Sequence, residues 1–237
     1  MTDAPVARPI GPLIDSHPAR RPERVTLKGR WVTLAPLDAA AHSKDLFEGS
    51  SGDANREAVW DYLFNGPFAD LEEFAADIEV KAKAADPHYF AIIDNASGRA
   101  VGYESLMRID APNRVIEVGG IMYTPEMQRT PGATEAQYLL AAHVFDDLGY
   151  RRYEWKCNAL NAPSRRAAER FGFTFEGVFR QHMIIKGRNR DTAWFSMLDS
   201  EWPARKAAYQ RWLKPDNFDA AGRQKTRLSE LMPEPPR

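Results

Sequence analysis

Two short segments combine residues that can start a helix with residues that can bind a phosphorylated ligand. The first is Gln128-Arg-Thr-Pro-Gly-Ala-Thr134, and the second runs from Asn161 through Ser164 to Phe171-Gly-Phe173. Each follows an apolar stretch typical of a strand, so each marks a predicted strand-to-helix turn. The amide groups in the first turn of a helix lack helical acceptors and carry the positive end of the helix dipole. We therefore expect both segments to face one crevice that suits a phosphorylated cofactor.

The elements that must position these segments are read from apolar periodicity and turn residues. Residues 1–24 contain five prolines, which oppose regular structure and predict an extended arm. The predicted strands are a hairpin or single strand from Val25, then 89–93, 100–109, 115–123, 153–157, 175–185 and 191–198, the last two joined across 186–189. The predicted helices are 37–47, 56–63, 71–85, 134–148, 163–171 and 201–213. In the third of these, Leu71, Phe74, Ile78 and Val80 lie near one face. A loop is predicted at 49–53 and a polar tail from 214. The pattern alone indicates an α+β fold with a mixed sheet.

Composition limits the classes of protein to which the chain can belong. Hydrophobic residues make up 43% and charged residues 27%, as in ordinary globular proteins, and the formal net charge of −1 favours neither nucleic acid nor an anionic membrane. No apolar run approaches the roughly 20 residues of a membrane-spanning helix. Cys157 is the only cysteine and is predicted to be a packed core thiol, and the five histidines lack metal-binding spacing. These bounds fit a cytoplasmic enzyme or binding module without a metal.

Positive charge is concentrated in the second half of the chain. Between residues 151 and 190 there are ten Lys or Arg against three Glu. This local excess suits a ligand that carries several phosphate groups, and the alternative is a solvated basic face. A nucleic-acid interface is disfavoured because the cluster contains no continuous basic run interleaved with aromatic residues.

Together, the two opening segments resemble the acyl-CoA signature of the GCN5-related N-acetyltransferases (GNAT), especially the branch similar to the ribosomal-protein N-terminal (Rim-type) acetyltransferases. The resemblance covers about residues 30–200. It implies a mixed, mostly antiparallel sheet of six to seven strands flanked by helices. We therefore expect an extended arm at 1–24, a GNAT domain at 25–200, and a C-terminal helix and polar tail at 201–237.

The resemblance also implies a set of acetyl-CoA-binding residues. In the family a Gln/Arg-x-x-Gly-x-Gly/Ala turn binds the pyrophosphate, and here Pro131 replaces the first glycine, with Gly132 one place later. Proline removes one amide donor, which the side chains of Arg129 and Thr130 would replace. The family asparagine, here Asn161, holds the pantetheine arm. The implied residues are Met122, Tyr123, Gln128, Arg129, Thr130, Gly132, Ala133, Thr134, Asn161 and Ser164. The alternatives are an ordinary strand–helix turn and a simple helix cap.

Catalytic roles follow from the same resemblance. Glu117 interrupts an apolar strand at a position where several family members have a glutamate base, and burial would raise its pKa toward that task. A structural ion pair with Arg114 or another arginine is the alternative, and Glu104 and His182 are the next candidates for the base. A bulge at Gly119-Gly120 would expose amide groups to the developing oxyanion. The family's tyrosine acid is replaced by Ala168, so Ser164 or water would assist the departing thiolate.

The predicted function is transfer of an acetyl group from acetyl-CoA to a primary amine, either a protein N-terminus or a small molecule. Trp60 and Tyr62 lie where related folds contact the acceptor, although packing in the core is equally compatible. A non-catalytic acyl-CoA-binding or partner-binding module with the same fold is the alternative, favoured by the missing tyrosine and the altered turn. A homodimer is compatible with the sequence, and no nucleic-acid or membrane partner is expected.

Overall fold

The computed structural model describes residues 10–234. Eight strands of this part form one sheet in the order β1-β2-β3-β4-β5-β6-β8-β7. The strands are β1 (Leu27–Lys28), β2 (Val32–Pro36), β3 (His88–Asp94), β4 (Ala100–Asp110), β5 (Val115–Tyr123), β6 (Arg152–Asn158), β7 (Thr174–Ile185) and β8 (Arg188–Leu198). The helices are α1 (Ala39–Ser50), α2 (Ala54–Glu57), α3 (Leu71–Lys83), α4 (Pro131–Ala142), α5 (Ala162–Arg170), α6 (Trp202–Trp212) and α7 (Leu228–Leu231).

Strand pairing makes the sheet mixed but mostly antiparallel. Only β5 and β6 are parallel, through the four pairs that join Val115–Val118 to Arg152–Trp155. All other neighbouring strands pair antiparallel. The predicted α+β class and the strand arrangement are confirmed, and the described residues contain one strand more than expected, the two-residue β1.

Side chains alternate between two apolar clusters, one on each face of the sheet. The larger cluster joins the sheet to α4, α5 and α6 and contains Trp155, Ala168 and Tyr209. The smaller one lies under α1 and α3 and contains Phe74 and Tyr103. Glu117, Glu154 and Lys156 alternate with strand residues of the larger cluster, so they lie on the face opposite α4 and α5.

Helix boundaries differ from the predicted ones where turns were read from composition alone. Helix α1 continues to Ser50, so the predicted loop at 49–53 is shorter. The predicted helix 56–63 consists of α2 and a single 3₁₀ turn that ends at Trp60. In α3, Phe74 and Ile78 are buried as predicted, whereas Leu71 and Val80 are exposed. The turn between β7 and β8 contains only Lys186 and Gly187, because the next two residues already pair in β8.

The helix predicted at 134–148 begins earlier and ends differently. Thr130 caps α4 with its hydroxyl oxygen, and Pro131 takes the first helical position, where a missing amide costs nothing. A π-helical turn follows from His143 to Asp147, closed by the amide of Leu148 on the carbonyl of His143 at 3.0 Å. The helical register therefore shifts by one residue just before β6.

The two ends of the described chain are attached to the domain. Residues 10–26 form neither helix nor strand, yet the amide of Ala19 donates to the carbonyl of Ala111 at 3.0 Å. Residues 1–9 of the predicted arm lie outside the described residues. The predicted polar tail contains α7, and Leu228 is fully buried in the larger cluster. This segment is therefore packed on the domain, contrary to the prediction of a polar tail.

Candidate active site

A gap opens in the sheet where the parallel pairing of β5 and β6 stops. The last paired residues are Val118 and Trp155, so the remainder of β5, from Gly119 to Tyr123, has no strand partner on that side among the described residues. A bulge lies at the same level, because Glu104 of β4 faces two residues of β5, Gly120 and Ile121. The predicted bulge at the glycine pair is therefore present.

The bulge is held by contacts that only glycine allows. Gly120 has φ +57°, and a Cβ there would lie 3.0 Å from the Tyr89 hydroxyl and 3.4 Å from Ser105 Oγ. The Ser105 hydroxyl donates to the carbonyl of Gly119 at 2.8 Å. Tyr89 and Ser105 were not singled out in the sequence, because a tyrosine and a serine within strands give no signal until the register is known.

The two predicted cofactor segments lie at one edge of the gap. Helix α4 follows β5 and helix α5 follows β6, and because these strands are parallel their carboxyl ends meet at the same edge. Thr130 Oγ1 accepts from the amide of Ala133 at 3.2 Å, and Asn161 Oδ1 accepts from the amide of Ser164 at 3.0 Å. Each helix therefore presents a capped first turn to this edge.

The turn before α4 is built differently from the family pattern. Gln128 Nε2 donates to the carbonyl of Tyr123 at 3.0 Å, and Arg129 has φ +64° and an exposed side chain. A Cβ on Gly132 would lie 2.8 Å from Val32 Cγ1. Glycine is thus needed here for the close packing of α4 on β2. The predicted role of Gly132 in binding acetyl-CoA stays a prediction. Thr134 is buried and accepts from Arg170 at 3.0 Å.

Two of the predicted cofactor residues have side chains that point into the protein. Met122 is fully buried in the smaller cluster. The Tyr123 hydroxyl donates to Glu104 Oε2 at 2.6 Å. Only the backbone of these residues faces the gap, so any contact with a ligand there would be a backbone contact.

Ser164 belongs to a small polar group between β6 and α5. Trp155 Nε1 donates to Ser164 Oγ at 3.0 Å. Cys157 is buried nearby; burial raises the pKa of its thiol, and a hydrogen bond with Ser164 opposes that rise. The Asn161 side-chain nitrogen has no hydrogen-bond partner in the part of the chain that is described. Ala168 is fully buried in the larger cluster, so a tyrosine ring at this position would displace packed core atoms.

Glu117 uses its two carboxylate oxygens differently. Oε2 lies 2.7 Å from Lys156 Nζ and 3.2 Å from Arg108 Nε. Oε1 lies toward the bulge, 3.4 Å from where a Cβ of Gly119 would be. Burial raises the pKa of Glu117, while Lys156 and Arg108 oppose that rise. The ion-pair partner predicted by name, Arg114, instead lies 3.9 Å from Asp15.

Lys156 has a different role in the structure from the one predicted for it, which was to attract a phosphorylated ligand. It is nearly buried and bridges Glu117 and Glu154, at 2.7 Å and 2.6 Å, with its nitrogen 3.9 Å from the centre of the Trp194 ring. It had been counted among basic residues that suit a phosphorylated ligand. The alternation of Glu154 and Lys156 along β6 would have indicated an ion pair on one face, had the parallel pairing with β5 been known.

Glu104 occupies the opposite face of the sheet from Glu117. It is fully buried, and its Oε2 accepts from Tyr123 and from Gln137 Nε2, both at 2.6 Å. Burial raises its pKa to about 7, and the hydrogen bond from Tyr123 opposes that rise. Glu104 Oε1, Gln137 Oε1 and the Tyr153 hydroxyl are buried without hydrogen-bond partners in the described residues. Glu104 is therefore enclosed within the larger cluster's side of the sheet.

The aromatic candidates and His182 lie on the Glu117 side. Trp60 is a core residue whose ring packs against Phe68 and Phe74, whereas Tyr62 is 39% exposed and its hydroxyl lies 3.4 Å from the carbonyl of Leu160. His182 Nδ1 lies 3.0 Å from Thr192 Oγ1. Its pKa is lowered by burial, with smaller effects from nearby cations.

Comparison with known proteins identifies the family. A family model described as an acetyltransferase (GNAT) domain matches residues 32–174, more than half of the chain. The chain belongs to the GNAT acetyltransferase family. A crystal structure of a GCN5-related N-acetyltransferase from Brucella melitensis is 56% identical, with a TM-score of 0.89, and the match covers 91% of this chain and 97% of that one.

Two further matches refine the comparison within GNAT. The Bacillus subtilis protein named "Putative ribosomal N-acetyltransferase YdaF" is 30% identical over 109 residues, which are 46% of this chain and 59% of that protein. Its name agrees with the predicted Rim-type branch, although the match spans less than two thirds of its length. The microcin C7 self-immunity acetyltransferase MccE, solved with acetyl-CoA and AMP, shares the fold at 20% identity and a TM-score of 0.62, over 72% of this chain and 93% of that one.

The described residues also bear on whether the chain could span a membrane or hold a metal ion. Within residues 10–234 no helix is both long and apolar enough to cross a membrane. The same part of the chain has no group of three or more His, Cys, Asp or Glu side chains arranged to hold a metal ion. The cytoplasmic location and the homodimer stay predictions.

Proposed function

We propose that the protein transfers the acetyl group of acetyl-CoA to a primary amine by direct attack in a ternary complex. The observation that carries this proposal is the gap between β5 and β6, with a bulged strand on one side and two capped helix starts at one edge. A long, thin ligand arm can enter such a gap and pair with the free edge of β5. Membership of the GNAT family supports this reading.

The acetyl-CoA site would use backbone groups more than side chains. The edge of β5 from Gly119 to Tyr123 would bind the pantetheine amides, and the free side-chain nitrogen of Asn161 would donate to the same arm. The first turn of α4, with Arg129 and Thr130 beside it, would face the pyrophosphate. MccE, a neighbour of the same fold, binds acetyl-CoA according to its structure's description.

Glu117 would take the proton that the amine must lose before it attacks. Lys156 and Arg108 bind Oε2 and leave Oε1 directed toward the bulge, where the acetyl group would lie. The amine nitrogen then bonds to the thioester carbonyl carbon, and the carbonyl electrons move to oxygen beside the bulge amides. As the carbonyl re-forms, the carbon–sulfur bond breaks, the electron pair leaves with sulfur, and the nitrogen loses its second proton to water, which leaves a neutral amide.

Ser164 would assist the departing thiolate with its hydroxyl hydrogen. Trp155 Nε1 donates to Ser164 Oγ and so occupies one acceptor site of the oxygen, while the hydroxyl hydrogen, which is within reach of Cys157, would turn to the CoA sulfur when the ligand is bound. A serine hydroxyl is a weak acid, so this would be a hydrogen bond to the thiolate, with water as the final proton source. The distinct alternative is a non-catalytic acyl-CoA-binding module, which the buried Ala168 and the proline in the α4 turn keep open.

Two measurements on the same protein separate these functions. Acetyl-CoA should raise the Tm in a concentration-dependent way, because a ligand selective for the folded state stabilises it. Addition of primary amines should then release free thiol. A Tm that rises without thiol release from any amine would favour the binding module, and an unchanged Tm at saturating acetyl-CoA would contradict both.

Asn161 variants test the site while controlling for the helix cap. Asn161→Ala removes both the cap and the side-chain nitrogen, whereas Asn161→Ser keeps a capping oxygen and removes only the nitrogen. We expect both variants to raise the Kd of acetyl-CoA by about tenfold, the value of roughly one hydrogen bond. Only Asn161→Ala should lower the Tm of the free protein. A Kd unchanged in Asn161→Ser would remove Asn161 from the binding site.

A further inference from the structure

Arg190 is a buried cation without a counter-charge. It lies at the start of β8 and is only 8% exposed. Its Nε donates to Thr192 Oγ1 at 3.2 Å, and its guanidinium carbon lies 5.4 Å from the centre of the Phe64 ring. No carboxylate of the described residues forms an ion pair with it, and its two terminal nitrogens make no hydrogen bond there.

The carboxylates nearby are already shared among other cations. Glu117 binds Lys156 and Arg108. Glu154 binds Lys156 and Arg152. His182, a further titratable group on this face, bonds to Thr192, the same residue that accepts from Arg190. Arg190 is therefore the cation that this cluster leaves unneutralised.

An unpaired charge with so little contact to water is costly, because the buried ion loses most of its hydration and gains no counter-charge in return. Burial accordingly lowers the pKa of Arg190, opposed by nearby Cys157 and Glu117. Phe64 contributes a cation–π contact, which is weak compensation. A guanidinium has a rigid fork of donors that matches the two oxygens of a carboxylate or phosphate. The missing partner is therefore expected to be an oxyanion from outside the chain.

The position of Arg190 separates it from the proposed acetyl-CoA helices. Arg190 and Thr192 alternate with Ala193 of the larger cluster, so they face away from α4 and α5, on the same face as Glu117. The β7–β8 turn reaches the segment after α2, where Lys186 Nζ donates to the carbonyl of Trp60 at 2.8 Å. Arg190 thus lies on the side from which an amine would approach Glu117.

We propose that Arg190 binds a compact oxyanion group, a carboxylate or a phosphate, on the amine acceptor. This inference rests on the proposed acetyl transfer and names the class of acceptor: an amine that also carries a negative charge. Its amine would be placed near Glu117 while the oxyanion neutralises the guanidinium.

Matched amine pairs test this assignment. Phenylalanine is compared with phenylalaninamide for the carboxylate, and O-phosphoethanolamine with ethanolamine for the phosphate. In each pair, kcat/KM is measured by thiol release for the wild type, Arg190→Gln, Arg190→Lys and Arg188→Gln. Arg188 lies on the same strand with an exposed side chain, so its variant controls for the loss of one positive charge.

Arg190→Gln should lower kcat/KM for the charged member of the preferred pair by about 10- to 100-fold, the scale of a hydrogen bond to a charged group. The neutral member should change by less than about threefold on the same scale. For the charged amine, kcat/KM of Arg190→Lys should lie between the values of the wild type and Arg190→Gln, because lysine keeps the positive charge and loses the paired guanidinium donors. Arg188→Gln should match the wild type. Which pair responds identifies the carboxylate or the phosphate as the source.

Equal losses for charged and neutral amines would overturn the proposal and give Arg190 a structural role beside Phe64. If no amine releases thiol, the acetyl-transfer proposal fails separately. Binding of the same four compounds, measured by calorimetry with CoA present, then still tests the oxyanion site. Equal Kd values for charged and neutral members in the wild type would overturn it.

Discussion

At the scale of single residues, Glu117 and Glu154 make a matched pair. Both bind Lys156 in the same buried group. Glu154 has its other oxygen on Arg152 at 2.7 Å, whereas Glu117 Oε1 lies toward the bulge. If Glu117 serves only in the ion-pair network, then loss of Glu117 and loss of Glu154 should have similar effects. If Glu117 is a general base, its loss should have the larger effect, because only Glu117 has an oxygen free to accept a proton.

Glu117→Gln should therefore lower kcat by about 10²- to 10⁴-fold, the usual contribution of a general base, with little change in acetyl-CoA binding. Glu154→Gln, the control, should keep most of the activity. Because a base acts in its ionised form, and burial raises the pKa of Glu117, wild-type activity should fall as the pH drops through that raised pKa. Thiol release across pH measures both effects. Equal losses in the two variants would assign Glu117 to the ion-pair network alone.

The site residues could be predicted where the signal lies within one segment of sequence, and not where it depends on a contact between distant segments. Strand alternation placed Glu117 in a buried strand, and the cap signal placed Asn161 correctly at the start of α5, whereas the start of α4 was predicted at Thr134 and lies at Pro131. Lys156 was beyond reach because its partner is 39 residues away in sequence and the pairing depends on the register of two parallel strands. The roles of these residues in catalysis and cofactor binding stay predictions.

At the scale of elements, the bulge in β5 depends on Gly120. A side chain there must adopt φ +57° and approach the Tyr89 hydroxyl to 3.0 Å. Gly120→Ala should lower the free energy of unfolding by about 2 kcal/mol, about 1 kcal/mol from the backbone and the rest from the contact. Gly187→Ala is the matched control, because Gly187 has φ +71° with no atom near its Cβ position. Urea unfolding of both variants measures the difference.

Equal costs at the two glycines would mean that Tyr89 moves aside easily. If the bulge also orients the oxyanion donors, Gly120→Ala should lower kcat while Gly187→Ala leaves it unchanged.

The order of the strands and helices was predictable, but irregular turns and the packing of short segments were not, because apolar periodicity does not reveal them. The β3–β5 meander and the strand–helix alternation after it follow directly from apolar spacing and turn residues. The π-helical turn at His143–Asp147 was missed because a single wide turn barely alters a 3.6-residue period. The segment from 214 reads as polar, yet Leu228 is buried in the larger cluster, and Phe218, Leu231 and Met232 pack against that cluster.

At the scale of the whole molecule, the buried carboxyl group of Glu104 should make stability depend on pH. Its folded-state pKa, about 7, exceeds the ordinary value of 4.5. The folded protein therefore binds the proton more strongly than the unfolded chain does. Glu104 therefore contributes at most about 3 kcal/mol to the free energy of unfolding. This contribution is fully present below pH 4.5 and is lost as the pH rises through 7.

Glu104→Gln should remove that dependence, because a glutamine side chain does not titrate. The free energy of unfolding, measured in urea between pH 4.5 and 8.5, should fall with pH more steeply in the wild type than in this variant. The control Glu126→Gln changes an exposed glutamate, so its pH profile should match that of the wild type. Parallel profiles for Glu104→Gln and wild type would show that Glu104 ionises freely when folded.

The parallel contact of β5 with β6 also has a mechanical meaning. It is the one strand pairing in residues 10–234 that joins the first five strands to the last three, and it is four residue pairs long. The ladders on either side, β4–β5 and β6–β8, contain more residue pairs. We therefore expect bending of the sheet to be concentrated at this joint, which would let the two parts of the sheet rock against each other and widen the gap without breaking a longer ladder.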